Sequence, residues 1–337
     1  MSPVHAKDRF RRPIWAGILL LTLVGGGTAT VISSDQQTTA APSTQSVAVT
    51  RARAATTPSA SASASASASG SGSGSGSAKA SASATASASD SPTATARRSL
   101  DDAVSELLDG DGDAVHGAVA ALDLDSGTTA ASGATAHRFA TASIVKVDIL
   151  AALLLQAQDR GEQPTAAQLA TARAMITQSD NDAAGDLYAA IGGADGLDAA
   201  NRRLGLTATT AGADGYWGLT ETTAADQLRL LRAVFTADGS PLDAASRGRI
   251  QQLMGAVEDD QAWGVSAAAD SGTTSYLKNG WLPRTSTGLW VVNSIGEVTH
   301  DGHRVLVAVL GDGLASESAG IARARSLAEA AASAVTS

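Results

Sequence analysis

Cysteine is absent from the 337 residues. That excludes disulfides, thiol catalysis, zinc–thiolate sites and a lipid-modified N-terminal cysteine. Histidine is scarce: only His5, His116, His137, His300 and His303 occur. No helical pair stands at metal-ligand spacing, which argues against a metalloenzyme, and no cofactor is implied. Aromatic side chains make up 3% of the chain. Positive charge is also in deficit, with 24 Lys and Arg against 33 Asp and Glu and a net charge of −9. A nucleic-acid partner therefore has no electrostatic support.

What is present divides the chain into three parts. Lys7, Arg9, Arg11 and Arg12 precede an apolar run from Ile14 to Val24, which continues in small and apolar residues to about Ile32. Residues 1–33 read as an export signal, or as a membrane anchor with its N-terminus in the cytoplasm. Either way the remainder is exported, on the outer face or secreted after cleavage. Residues 34–98 are rich in Ser, Ala, Thr and Gly and carry too little apolar surface to offset the entropy of ordering. They read as a disordered spacer. Residues 99–337 carry helix, strand and turn signals throughout and are long enough for a substantial core.

Within that last part, Ser99 caps an expected helix with Leu100, Val104, Leu107 and Leu108 on one face, ended by Gly110. Ala118–Asp123 and the residues after Asp125-Ser126-Gly127 form two strands. Five helical stretches follow. They open at Ser143, at Thr165, at Asp182, at Leu197 (closed by Gly205) and at Thr223, and a sixth opens at Ser240-Pro241. Tyr276–Asn279, Gly288–Ile295 and Arg304–Leu310 are expected strands, with a hairpin at Asp301-Gly302. The last helix covers about Ser318–Val335. The fold class is α+β: one antiparallel sheet built from both ends of the domain, flanked by helices, with an all-helical subdomain between.

Three motifs carry chemistry. Ser143 and Lys146 stand three apart at the start of an unbroken apolar helix, so their side chains share a face. A hydroxyl becomes a nucleophile when a neighbouring base takes its proton, and a lysine serves when burial and nearby cations lower its pKa. A capping serine beside a solvated lysine would give the same spacing, so the pair is weak evidence alone. Ser179-Asp180-Asn181 falls on a break between two helices. Lys278-Asn279-Gly280 falls on the first of the late strands.

Taken in this order, the three motifs resemble those of the penicillin-recognising serine acyltransferases, most closely the class A β-lactamases. Leu219–Leu228 also resembles that family's threonine-rich segment. The resemblance implies a β-lactamase- or transpeptidase-like fold and an acyl-enzyme on Ser143. The catalytic set would be Ser143, Lys146, Ser179 and Lys278. Lys146 would be the base, with repulsion from Lys278 helping to depress its pKa, and Ser179 would relay a proton to the leaving nitrogen. Asn181, Asn279, Gly280 and Trp281 would bind substrate. Asn181 would meet an acylamido group, Lys278 and Asn279 a carboxylate with Arg284 assisting, and the N–H groups of Ser143 and Trp281 the oxyanion.

Two departures stand out. Asn279 replaces the usual threonine or serine. The segment Thr207–Gly218, where the family keeps its deacylating glutamate, has none. Asp214 and Glu221 are the nearest carboxylates in sequence, and neither matches the motif. The expected partner is therefore a β-lactam or cell-wall peptide, met by a monomer whose N-terminal segment reaches the membrane. The alternatives are a D-Ala-D-Ala peptidase or transpeptidase, and a non-catalytic wall-binding module. A Ser-His-Asp hydrolase using His116, His137, His300 or His303 lacks a Gly-x-Ser-x-Gly elbow at Ser143.

Overall fold

The computed structural model describes residues 91–109, 112 and 114–337. The expected signal or anchor, nearly all of the expected spacer, and the Gly110 stop lie outside them. Among the described residues no helix is long and apolar enough to cross a membrane.

Helix α1 (Pro92–Leu108) starts earlier than expected. Ser91, not Ser99, is its cap, accepting from the N–H of Ala94, and a proline stands in the first turn. Seven residues assigned to the spacer are therefore helical. They fold because Ala96, Leu100 and Val104 are buried on one face.

The main sheet has five antiparallel strands in the order β2-β1-β7-β6-β5. These are β1 (His116–Asp123), β2 (Thr129–Gly133), β5 (Tyr276–Pro283), β6 (Trp290–His300) and β7 (His303–Leu314). The first two and the last three come from opposite ends of the domain, as expected. β1 pairs directly with β7, from His116 opposite Asp312 to Asp123 opposite Val305. Asp301 and Gly302 link β6 to β7 with φ of 50° and 82°, the double left-handed turn that a two-residue hairpin requires. A two-residue pair, β3 (Phe139–Ala140) with β4 (Glu221–Thr222), lies apart from this sheet.

The helical subdomain comprises α2 (Val145–Asp159), α3 (Ala166–Thr177), α4 (Asn181–Ala190), α5 (Gly193–Arg203), α6 (Ala224–Phe235) and α7 (Ala244–Met254). Thr165 closes a capping box on α3, and Thr223 caps α6. The cap of α7 is Asp243 rather than Ser240. Ser240 instead spends its hydroxyl on the Ala233 carbonyl. Helix α8 (Glu317–Thr336) closes the domain.

Two apolar layers result. One gathers α2, the other subdomain helices and one face of the sheet; the second gathers α1, α8 and the opposite face. Helix α2 is the axis of the first. Every residue from Val145 to Leu155 is buried, including Lys146 and Asp148. At about 1.5–3 kcal/mol per buried aliphatic side chain, its buried Val, Ile and Leu residues offset the cost of taking two ionisable groups out of water.

Candidate active site

Ser143 lies in a 3-10 turn, Ala142–Ile144, immediately before α2. It is therefore not a side-chain cap of that helix. Ala142 ahead of it has φ 48°, a left-handed setting uncommon outside glycine, which lifts the serine out of line with the helix. The turn is clamped from the sheet. Asn293 on β6 donates to the carbonyls of Ala140 and Thr141, both at 2.9 Å, and accepts from the N–H of Gly311 at 3.2 Å. A buried asparagine in a central strand was the available signal, and the sequence reading passed over it.

Lys146 Nζ is fully buried and reaches four oxygens. Ser143 Oγ lies at 3.0 Å, Ser179 O at 2.6 Å, Ser179 Oγ at 3.0 Å and Asn181 Oδ1 at 2.8 Å. Two of these can only accept. A neutral amine meets the set with its two N–H groups on Ser179 O and Asn181 Oδ1, leaving its lone pair for the Ser143 hydroxyl. Burial lowers Lys146 from 10.5 to about 7, against an opposing pull from Asp180. Both forms are then populated near neutrality, as a base that receives and returns a proton needs.

Lys278 on β5 is also fully buried, and donates to Ser179 Oγ at 3.0 Å and to the Asn279 carbonyl at 2.9 Å. Its pKa is well below the ordinary value, first through burial and then through repulsion from Lys146. Of the two expected causes, burial is the one that acts on Lys146. Repulsion between the two amines is felt by Lys278, after burial, whereas the depression of Lys146 comes from burial. Ser179 stands between the two amines. It has φ 55° at the kink between α3 and α4, so that carbonyl and hydroxyl face the same amine, while Asp180 caps α4 through the N–H of Ala183.

Asn279 does not reach the crevice in the expected way. It is buried, and its amide donates to the carbonyls of Gln261 at 2.7 Å and Trp263 at 2.9 Å. Both N–H groups are spent on holding the strand, so neither is left for a carboxylate. Gly280 has a clear reason to be glycine: a Cβ there would stand 2.6 Å from Ser143 N and 2.8 Å from Ile144 N. The β5 backbone thus presses against the nucleophile turn. Trp281 is half-buried next to it, while Arg284 is exposed beyond the strand end.

The segment from Thr207 to Thr220 is held from below by buried Asp226, which accepts from Ala208 N at 2.7 Å and Thr209 Oγ1 at 2.8 Å. Neither candidate carboxylate is in place. Asp214 is exposed, and exposed Glu221 pairs with Arg138 at 3.6 Å. Over Lys146 lies the ring of Trp217 instead, with Nζ 5.0 Å from its centroid. No motif marks this residue. Its signal was an indole in a glycine-rich stretch of a chain poor in aromatics.

The described histidines make other contacts. His116 and His137 both meet Asp312, His303 meets Asp123, and His300 meets the Ala268 carbonyl. His303 keeps 39% of its side chain exposed at the hairpin while it meets that buried carboxylate.

Comparison with known proteins gives the family and the fold. The profile of the beta-lactamase enzyme family matches residues 155–335, which takes in Ser179, Asn181 and Lys278 and begins after Ser143 and Lys146. No curated protein matches the chain. The fold is similar to a representative class A beta-lactamase from Bacteroides cellulosilyticus, at 17% identity and TM-score 0.61, covering 71% of this chain and 98% of that one. It is similar to a beta-lactamase from Streptosporangium roseum, at 23% identity and TM-score 0.57 over 72% and 98%. It is also similar to a point mutant of PBP-A, solved as its acyl-enzyme complex with penicillin G, at 22% identity and TM-score 0.59 over 70% and 96%.

Proposed function

The chain belongs to the beta-lactamase enzyme family, and from that premise we propose that it is a class A-like serine hydrolase that acylates Ser143 with β-lactams and releases the product slowly. The observation that carries this reading is the set of contacts around Lys146, with Ser143 Oγ and Ser179 Oγ each 3.0 Å from one buried amine.

Ser143 Oγ attacks the lactam carbonyl carbon and its proton passes to neutral Lys146. The carbonyl oxygen takes the negative charge, opposite the N–H groups of Ser143 and Trp281. The C–N bond then breaks. The ring nitrogen receives a proton from Ser179 Oγ, which is replenished from Lys146 or Lys278. The product is an ester on Ser143, with every proton accounted for inside the site. Asn181, exposed at the crevice edge, meets the acylamido group. Lys278 is the cation for a substrate carboxylate; its value drops in the empty site and rises when an anion binds.

Release needs an activated water. Among the described residues no carboxylate hydrogen-bonds Lys146, and the ring of Trp217 lies against its amine. Loss of a general base is worth about 10²–10⁴-fold in rate. The same observation favours a second reading, a D-Ala-D-Ala peptidase or transpeptidase of the cell wall that β-lactams trap. The basic cluster and apolar run of residues 1–33 support an exported enzyme, either anchored or released.

The test is a fluorescent-penicillin gel with wild type and Ser143→Ala, beside a chromogenic cephalosporin assay. Label on wild type, none on Ser143→Ala and slow colour development support the hydrolase. Durable label with no colour development selects the wall-peptide enzyme. Wild type that takes no label refutes acylation.

A further inference from the structure

A second cluster of chemistry-bearing groups lies away from the serine. His116 begins β1, His137 stands in the connection from β2 to β3, and Asp312 is near the end of β7. His116 Nδ1 is 3.0 Å from Asp312 Oδ1, and His137 Nε2 is 2.8 Å from Oδ2. The two imidazoles stack at 4.1 Å with 13° between their planes. Ring edge and carboxylate converge, with all three donor atoms within 4.8 Å of one another.

The cluster is held and open at once. His137 packs edge-on against buried Phe139, with centroids 4.5 Å apart. His116 and Asp312 are opposite each other in the β1–β7 ladder. The side chains of His116, His137 and Asp312 are 38%, 33% and 23% exposed, toward a cavity of about 500 Å³ that they help to line. Other charged groups on its wall are Arg138, Arg284 and Glu221. Two guanidiniums face two carboxylates there, so the cavity presents no net charge against a cation. Arg138 is already engaged by Glu221 and by Thr210 Oγ1.

Two imidazoles and one carboxylate on a rigid base, with a free side, are the donor set that borderline divalent cations take in three-ligand sites. We propose that His116, His137 and Asp312 bind one divalent transition-metal ion of the zinc class, with a fourth position open to the cavity. On binding, the ring protons now facing Asp312 move to the far nitrogens or are released, and each near nitrogen gives its lone pair to the ion. The ion ties the starts of β1 and β3 to the end of β7. This site is independent of acyl transfer: loss of Ser143 labelling leaves it untouched.

The test uses full-length protein, freed of metal by a chelator and titrated with Co²⁺ alone, read by visible absorption and by thermal melting. One equivalent of bound Co²⁺, a raised melting temperature and displacement by Zn²⁺ are expected. His137→Ala and His116→Gln, each checked for cooperative melting without metal, should weaken binding roughly tenfold or more. His303→Ala should leave binding unchanged, because His303 belongs to a separate group with Asp123 and Asp125. No stoichiometric Co²⁺ in wild type overturns the proposal. So does binding that survives both His137→Ala and His116→Gln, or that is lost in His303→Ala.

Discussion

Lys146 Nζ lies 5.0 Å from the centroid of the Trp217 ring. The indole face attracts an ammonium weakly and offers no lone pair to a water. This contact thus tolerates the protonated lysine formed during acylation and supplies no base for hydrolysis. Trp217→Glu is expected to shorten the life of the acyl-enzyme by about 10²-fold. Decay of fluorescent-penicillin label after a chase measures it, and an unchanged lifetime would refute the assignment.

The Lys146 value of about 7 sets the pH dependence. Acylation is expected to rise with pH through about 7 and flatten above it, because only the neutral amine accepts the serine proton. Stability follows the sign of the shift. The folded value lies below the ordinary 10.5, so this group favours folding above 10.5 and that contribution is lost as pH falls toward 7. Single-turnover labelling across the neutral range measures the first effect. A profile with no inflection near 7 would remove Lys146 as the base.

Gly280→Ala puts a methyl group 2.6 Å from Ser143 N. The strand or the nucleophile turn must shift. A displacement of about 1 Å at a reacting atom is worth about 10²-fold. Labelling is expected to fall by that order while the circular dichroism spectrum is retained. Normal labelling would show that β5 yields without disturbing the serine.

Asn279→Thr brings in a residue the wider family uses, yet it removes two donors from the Gln261 and Trp263 carbonyls. Burying acceptors without partners costs about 1–3 kcal/mol each. The expected outcome is a lower urea midpoint with no gain in affinity for carboxylate-bearing substrates. Tighter binding in the variant would contradict the positioning role.

Asp148 is buried on α2, with both carboxylate oxygens unpartnered, beside Gln227, whose Oε1 is likewise unpartnered. Burial raises it from 3.8 to about 8. The folded state therefore holds the acid form, which can donate to Gln227. Its contribution is full below 3.8 and is lost as pH rises through about 8. Asp148→Asn keeps the shape and a donor without the titration. The variant is expected to melt above wild type at alkaline pH and close to it near pH 5; melting curves at both values decide.

Much of this arrangement was legible in the sequence because it rests on local signals. Thr165, Thr223 and the Asp301-Gly302 turn did what capping and hairpin rules require. Ser143, Lys146, Ser179 and Lys278 meet because motif order survives folding. What escaped were contacts between distant segments. Ser91 caps α1 because Ala96 finds an apolar partner layer, which no nearby residue announces. Asn279 turns away from the crevice because two carbonyls well upstream need donors. Trp217 over Lys146, and Asn293 under Thr141, are long-range as well. The two histidines on Asp312 come from a strand and from a connection between two others, where no helical spacing could reveal them.

β1 finds its hydrogen-bonding partner far along the chain, in β7, with Asp123 opposite Val305. During synthesis the nucleophile helix leaves the ribosome well before Lys278 exists, and the first hairpin waits with an open edge until the last strand arrives. Closing so large a loop is entropically slow. Maturation should therefore lag translation, and a nascent chain halted before residue 303 would expose a sheet edge that chaperones or proteases can seize.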